Sequence, residues 1–420
     1  MKLDTFRAFR SRNYRLYFMG QSVSLIGTWM QRTAVYWVVY IETHSSFMLG
    51  VTTFATQFPS FLFSLFGGVI SDKYDRYKVL LITQIASLIQ ALLLALLVLF
   101  NTYTVWEILV LSTLLGIINA FDVPARQSLV YDMVDDKSDL SNAIALNSSM
   151  VNLARLVGPA LSGIVLAAFH AGTCFMINAA SFLAVIISLL LMKLKPYVPK
   201  QSSKKIIGEL KAGLAYLKAT PSIGFVILFL ALISFLVLPY STLLPVFAKV
   251  IFKGDASTFG YLNSFIGLGA ITGTIFLASL KSGTNLKKIL LGTTFIFGTG
   301  LILFSHISNF SFACIFAVIT GFGMMSQVTV SNTIIQTTVS QDMRGRVISY
   351  FAMAFFGMQP LGSLLIGALS NRIGAPDTIL FQGIAAILIF SVFLFFMKKK
   401  SLKRKDNIDT EMETEIIKVD

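Results

Sequence analysis

The chain of 420 residues is 55% hydrophobic and only 13% charged, about half the charged share of a soluble globular domain, with a mean hydropathy of +0.76. That composition belongs in a membrane rather than in a soluble domain. A net charge of +14 would suggest a nucleic-acid partner for a soluble protein, but here it is read against topology, and nothing else in the sequence supports nucleic-acid binding.

The chain starts with a short basic tail, 1–14, within MKLDTFRAFRSRNYR. It precedes an apolar run too long for a signal peptide and has no small-residue cleavage site, so the run reads as an uncleaved first span. A spanning helix needs about 20 mainly apolar residues. Such stretches fall at about 15–41, 46–70, 79–100, 105–126, 141–168 and 173–192, giving a first six-helix bundle over 15–192. The basic segment 193–221 carries Ile206, Ile207, Leu210, Leu214 and Leu217 at helical spacing, with Lys204, Lys205, Lys211 and Lys218 on other faces. This predicts an amphipathic helix on the inner membrane surface that ties the halves together without spanning. Six further stretches at about 222–250, 257–280, 288–306, 309–335, 347–370 and 377–397 give a second bundle over 222–397. The tail 398–420 runs from basic KKKSLKRK to acidic TEMETE with little apolar content and is expected to be disordered.

With an even number of spans both termini share one side, which also collects the loops after even-numbered spans. All but five of the 34 Lys and Arg lie there; Lys249, Lys253 and Arg372 lie on the opposite side, and Arg32 and Arg155 inside spans. The positive-inside rule makes the termini cytoplasmic, and the basic side then faces anionic lipid. Tyr36, Trp37 and Tyr40, with Tyr103 and Trp106 across a loop, form the expected outer aromatic belt. Cys174 and Cys314 are single and fit no metal spacing, so no metal site is expected.

A shift of 210 positions lays 49–81 on 259–291 without a gap, matching Gly50 with Gly260, Phe66 with Phe276 and Lys78 with Lys288. Asp139-Leu140 before span 5 is echoed by Asp342-Met343 before span 11, and Pro159 by Pro360. Two related halves with a long central loop are the layout of transporters that rock about a midplane site.

Between spans 2 and 3 stands Gly68-Val69-Ile70-Ser71-Asp72-Lys73-Tyr74-Asp75-Arg76-Tyr77-Lys78. Its glycine, aspartate and basic cluster resemble the corresponding loop of the major facilitator superfamily, which the chain resembles over essentially all its spans. Asp75 stands where the commoner pattern has glycine, and Tyr77 where it has a base. These departures, with GTWMQR at 27–32, FDVPARQ at 121–127 and DMRGRVIS at 342–349, are similar to the branch containing the enterobactin exporter and macrolide-efflux proteins. The resemblance implies an all-α membrane protein of twelve transmembrane helices in two pseudo-symmetric six-helix bundles, without a cofactor, monomeric, in the inner (plasma) membrane of a bacterium. It further implies a secondary active, proton-coupled exporter that moves an amphiphilic small molecule, a siderophore or macrolide-like drug, by alternating access. The implied partners are that small-molecule substrate, protons and membrane lipid. An uptake permease or lipid or lysolipid transporter of the same fold is an alternative, and a non-transporting receptor or scaffold is another.

By the resemblance, Gly68, Asp72, Lys73 and Arg76 form a gate that clamps the halves when the chamber faces outward. The alternative is that the bases only anchor a short loop, although an anchoring loop needs no acids. ARLVGPALSG at 154–163 resembles the exporter signature through Gly158, Pro159 and Gly163. Small residues allow close helix approach and proline bends the span; ordinary small-residue packing is the other reading. Arg155 lies about 21 Å along the helix from Ser141 and Arg32 about 12 Å below Tyr40, on a rise of about 1.5 Å per residue. Both are substrate-cavity candidates or structural hubs. Asp122 is the only carboxylate well inside a predicted span. It is the proton-coupling candidate, or else pairs locally with Arg126 at a helix break at Pro124. The second half offers only amides at depth, of which Gln327, Asn332 and Gln359 are cavity candidates. The 37 phenylalanines, with methionine, suit an adaptable aromatic cavity, and a buried cation among few acids favours neutral or anionic cargo. The sequence has no HExxH, paired Cys/His set or GxxxxGK[ST], so no catalytic residue is expected and no ATPase is encoded.

Overall fold

The structure, a computed structural model, describes residues 4–194, 206–281 and 283–416, and leaves the side chains of Asp4, Leu65, Asp72, Ile206, Ile207, Glu209, Leu210 and 397–416 outside the description. Among the described residues there is no strand. In hydrocarbon an unpaired amide has no water to turn to, so each segment satisfies its own backbone as helix. The first bundle comprises α1 (Arg12–Thr43), α2 (Ser46–Lys73), α3 (Arg76–Leu99), α4 (Val105–Met133), α5 (Leu140–Ala168) and α6 (Ala171–Leu190). A linker helix, α7 (Ile206–Ala219), leads to α8 (Pro221–Ile251), α9 (Ala256–Ala278), α10 (Leu286–Ser305), α11 (Phe310–Thr338), α12 (Gln341–Ile373) and α13 (Ala375–Ile416). Ten of these, α3 to α6 and α8 to α13, contain stretches long and apolar enough to cross a membrane. Helices α1 and α2 pack among them, consistent with a twelve-helix arrangement.

Helix starts are capped by side chains. Ser45, Asp75, His170, Asp255, Asn285 and Asn309 each accept a hydrogen bond from a backbone N–H in the first turn, and Thr104 with Glu107 forms a capping box. Proline acts differently from place to place. Helix α4 runs through Pro124 to Met133, so the expected break there does not form. In α8, by contrast, the helix tightens to 3₁₀ over Leu238–Leu243 and widens to a π turn over Phe247–Ile251, where Pro239 and Pro245 withdraw amide donors.

Both ends of the first bundle's sequence depart from plain loops. The tail folds as a 3₁₀ turn, Asp4–Arg10, onto the start of α5. Arg7 pairs with Asp139 at 3.1 Å, the Ala8 amide donates to Asn142 at 3.0 Å, and the Asn142 amide donates to the Thr5 carbonyl at 2.9 Å. Helix α7 sets Gly213 against Tyr350 and Arg346 of α12 and buries Leu217 in the second bundle's core, while Leu214 stays exposed. Its predicted apolar positions Ile206, Ile207 and Leu210 have side chains outside the described residues, as does all of 195–205. The final helix continues to Ile416, past the point where composition suggests that order ends.

The bundles meet along α2 with α12 and α5 with α9. Their bonds gather at the end away from the termini, hereafter the far end. There Ser370 donates to Ser46 at 3.0 Å, Asn371 to Ser45 at 3.3 Å, and Thr53 pairs with Thr242 at 3.3 Å. Trp37 stacks on Phe259 with ring centroids 6.1 Å apart. The repeat-related glycines do the same work twice: a Cβ on Gly50 would collide with the Ser363 carbonyl, and one on Gly260 would stand 2.5 Å from the Pro159 carbonyl. Toward the termini the contact of α2 with α12 runs as far as Phe61 against Gly357; beyond it a Cβ on Gly68 or Gly345 would meet nothing within 4 Å, and Ser148 and Ser149 of α5 are exposed. The bundles are thus zipped at the far end and part toward the end bearing the termini.

Candidate functional site

Where the bundles begin to part, α1 and α5 bring Trp29 and Arg32 together with the sequence-distant Arg155. The Arg32 guanidinium carbon lies 5.1 Å from the centroid of the Trp29 ring, and that of Arg155 lies 5.3 Å from the same ring. Trp29 and Arg32 share a face because they are one helical turn apart. Arg155 arrives from α5, which can come this close because of Gly158: a Cβ there would stand 2.5 Å from the Trp29 Cβ. From the second bundle, Met325 on α11 accepts a hydrogen bond from Arg155 Nη1 at 3.6 Å. The neighbouring Met324 accepts from the Tyr240 hydroxyl at 3.7 Å.

The local contacts do not balance the charge. An arginine at mid-membrane costs on the order of 2.5–3.5 kcal/mol, and a cation–π contact returns about 0.5–2 kcal/mol. The one hydrogen bond from Arg155 ends on a thioether, a weak acceptor, and its buried Nε has no partner. Among the described residues no carboxylate lies within ion-pair distance of Arg32 or Arg155. Two guanidinium groups no more than about 10 Å apart repel by a further ~1.5 kcal/mol or more at an effective dielectric of about 20.

On the second bundle Gln327 is fully buried with both amide atoms unpartnered, and the hydroxyls of Ser326 and Thr320 on the same helix are likewise unanswered. Asn332 instead accepts from Gln336 one turn on, at 3.1 Å, and Gln359 is half-buried on α12. The structure therefore brings Arg32 and Arg155 to one ring and gives Asn332 a local partner.

Asp122 is buried at the α3–α4 contact. It accepts from Thr83 at 3.0 Å and Gln84 at 2.6 Å, and pairs with Arg126 at 3.1 Å. These bonds knit α3 to α4.

In the loop between α2 and α3, Asp75 caps α3 by accepting from the Tyr77 amide at 3.0 Å, which accounts for an acid where glycine is commoner. Arg76 pairs with Asp132 at 3.6 Å and donates to the Ser71 carbonyl at 3.3 Å, while Lys73 lies 5.8 Å from the Tyr74 ring centroid. The Asp72 side chain lies outside the described residues. A Cβ on Gly68 would meet nothing within 4 Å, whereas on Gly67 it would collide with the Ala120 carbonyl, so Gly67 is the glycine this packing requires. Pro159 and Gly163 stand in the far-end contact with Gly260. Sequence reasoning passed over Trp29 and Asp132, and it missed the buried chain Asn178 to Gln31 to Gln90 to the Leu111 carbonyl, at 2.8, 3.1 and 3.2 Å. GTWMQR contains both Trp29 and Gln31, but only the fold supplies their partners.

Twelve helices in two repeat-related bundles about a mid-depth polar site define a membrane transporter of the major facilitator type, not an enzyme. More narrowly, the chain matches the transmembrane secretion effector family over residues 3–419 and belongs to it. It is 31% identical to the staphyloferrin A transporter of Staphylococcus aureus, over 93% of this chain and 98% of that protein. It is 22% identical to macrolide efflux protein A of Streptococcus pyogenes (88% and 92% covered) and 24% identical to an enterobactin exporter of Salmonella typhi (91% and 92%). Its fold is similar to the crystal structure of the nucleoside transporter NupG, with a TM-score of 0.73 at 14% identity, covering 91% of this chain and 98% of that one.

Proposed function

We propose that the protein is a secondary active exporter, driven by inward proton flow, that moves an amphiphilic small molecule out of the cytoplasm, with siderophores the first class to test and macrolide-like drugs the second. The observation that carries this reading is the chamber: bundles bonded at the far end, parted at the end with the termini, and holding uncompensated arginines between. The distribution of Lys and Arg supports cytoplasmic termini, and in that orientation the chamber opens to the side from which an exporter loads. The names of the relatives support the cargo classes.

In this reading the cycle alternates access. The space beside Gly68 receives the opposing bundle when the cytoplasmic mouth closes, with Asp72, Lys73 and Arg76 forming the clamp, and the Ser45–Asn371 contact opens in turn. Asp122 carries the coupling proton, because protonation would remove the charge that holds Arg126, Thr83 and Gln84.

The test combines transport and locking. The purified chain in proteoliposomes should concentrate a siderophore against its gradient when a pH gradient is imposed and not otherwise. With Cys174 and Cys314 replaced by serine, a disulfide between Ser45→Cys and Asn371→Cys should stop transport reversibly. Full transport by the cross-linked protein would rule out alternating access.

A further inference from the structure

We infer that Arg32 and Arg155, gathered at Trp29, are the subsite for a carboxylate-bearing part of the cargo, so that the transported molecule is an organic polyanion. This rests on the transporter reading above and names the chemistry of its substrate. The argument starts from an imbalance. Both guanidinium groups lie within 5.3 Å of one ring centroid, so their separation cannot exceed the sum of the two distances. The one acid well inside a span that could answer them, Asp122, is already committed to Arg126. Arg155 spends one donor on Met325 and leaves Nε unanswered.

A like-charged pair held by a tryptophan and, on Arg155, one methionine is a poor structural hub, since a hub would supply stronger acceptors. It is a good receptor for something that brings its own. Guanidinium matches the two oxygens of a carboxylate in a bidentate fork, and the Trp29 ring with Met325 gives an apolar, adaptable wall for the rest of an amphiphile. The site also joins α1 and α5 of one bundle to α11 of the other. An anion bound there bridges the two moving bodies, as a cargo that triggers closure must.

The test reads Trp29 directly. In a chain carrying Trp37→Phe and Trp106→Phe, Trp29 is the remaining tryptophan, and its emission is titrated with tricarballylate, its trimethyl ester and inorganic phosphate. We expect saturable change with tricarballylate at about 1 mM or below and binding at least about tenfold weaker for the ester. Arg155→Gln and Arg32→Gln should each weaken tricarballylate by about tenfold or more, with partial recovery in Arg155→Lys. The ester comparison uses unaltered arginines, so it decides the matter even if an arginine variant fails to fold. Equal binding of acid and ester overturns the proposal, as does silence of Trp29 up to about 10 mM acid. Phosphate binding as tight as tricarballylate overturns the carboxylate assignment. Gradient-driven export of a neutral macrolide without tricarballylate binding would sink this inference and leave the exporter reading standing. Binding without any transport would do the reverse.

Discussion

Gln90 in the first bundle and Gln327 in the second are both fully buried amides at mid-membrane. Gln90 is bonded on both sides, accepting from Gln31 at 3.1 Å and donating to the Leu111 carbonyl at 3.2 Å. Gln327 is bonded on neither. The contrast extends to the charges: Asp122, Arg126, Arg32 and Arg155 all belong to the first bundle, while the buried core of the second is built on rings such as Tyr240 and Phe297, edge-on at 5.7 Å. The lesson is a division of labour. On the function proposed above, the first bundle would carry coupling and cargo charge beside the bonded Gln31–Gln90 pair, and the second would contribute an apolar core in which Gln327 stays unpaired.

The largest expected effect is on coupling. Asp122→Asn should reduce gradient-driven export to the level of protein-free liposomes while the protein still purifies as a folded species; pH-driven export in that variant would move coupling out of the first bundle. Next, Gly158→Leu should displace Trp29 and cost about tenfold or more in transport. Gly292→Ala on the second bundle, where a Cβ meets nothing within 4 Å, should transport normally and gain about 0.5–1 kcal/mol of helix stability. Equal effects would erase the distinction between the bundles. Smaller still, Gln90→Leu should cost about 1–3 kcal/mol by stranding its partners, and Gln327→Leu should be neutral or stabilising by up to about 1 kcal/mol. Thermal melts of the two variants compare them directly; destabilisation by Gln327→Leu would reveal a role that its unpaired amide conceals.

Much of the architecture is legible from sequence because a bilayer allows so few solutions. The apolar stretches follow from hydropathy, and the repeat through Gly50 and Gly260 from laying the sequence on itself. What stays hidden depends on which helix lies opposite. Gly68 draws attention by its motif, but Gly67 is the one that meets Ala120. Pro124 reads as a break, yet α4 continues through it, because a single missing donor is a small loss to a helix held on several sides. The pairing of Arg155 with Trp29 links residues 126 positions apart and leaves no local signal. Asp75 could have been read as a helix cap from its place just before an apolar run.

The 3₁₀ turn at the start of the chain is fastened to α5 by Arg7, Ala8 and Thr5 through Asp139 and Asn142. Those opening residues are therefore a handle on the helix that bears Arg155. Phe6, 54% exposed on that handle, offers a place for a spectroscopic label that would follow any tilt of α5 during turnover from outside the proposed cargo site.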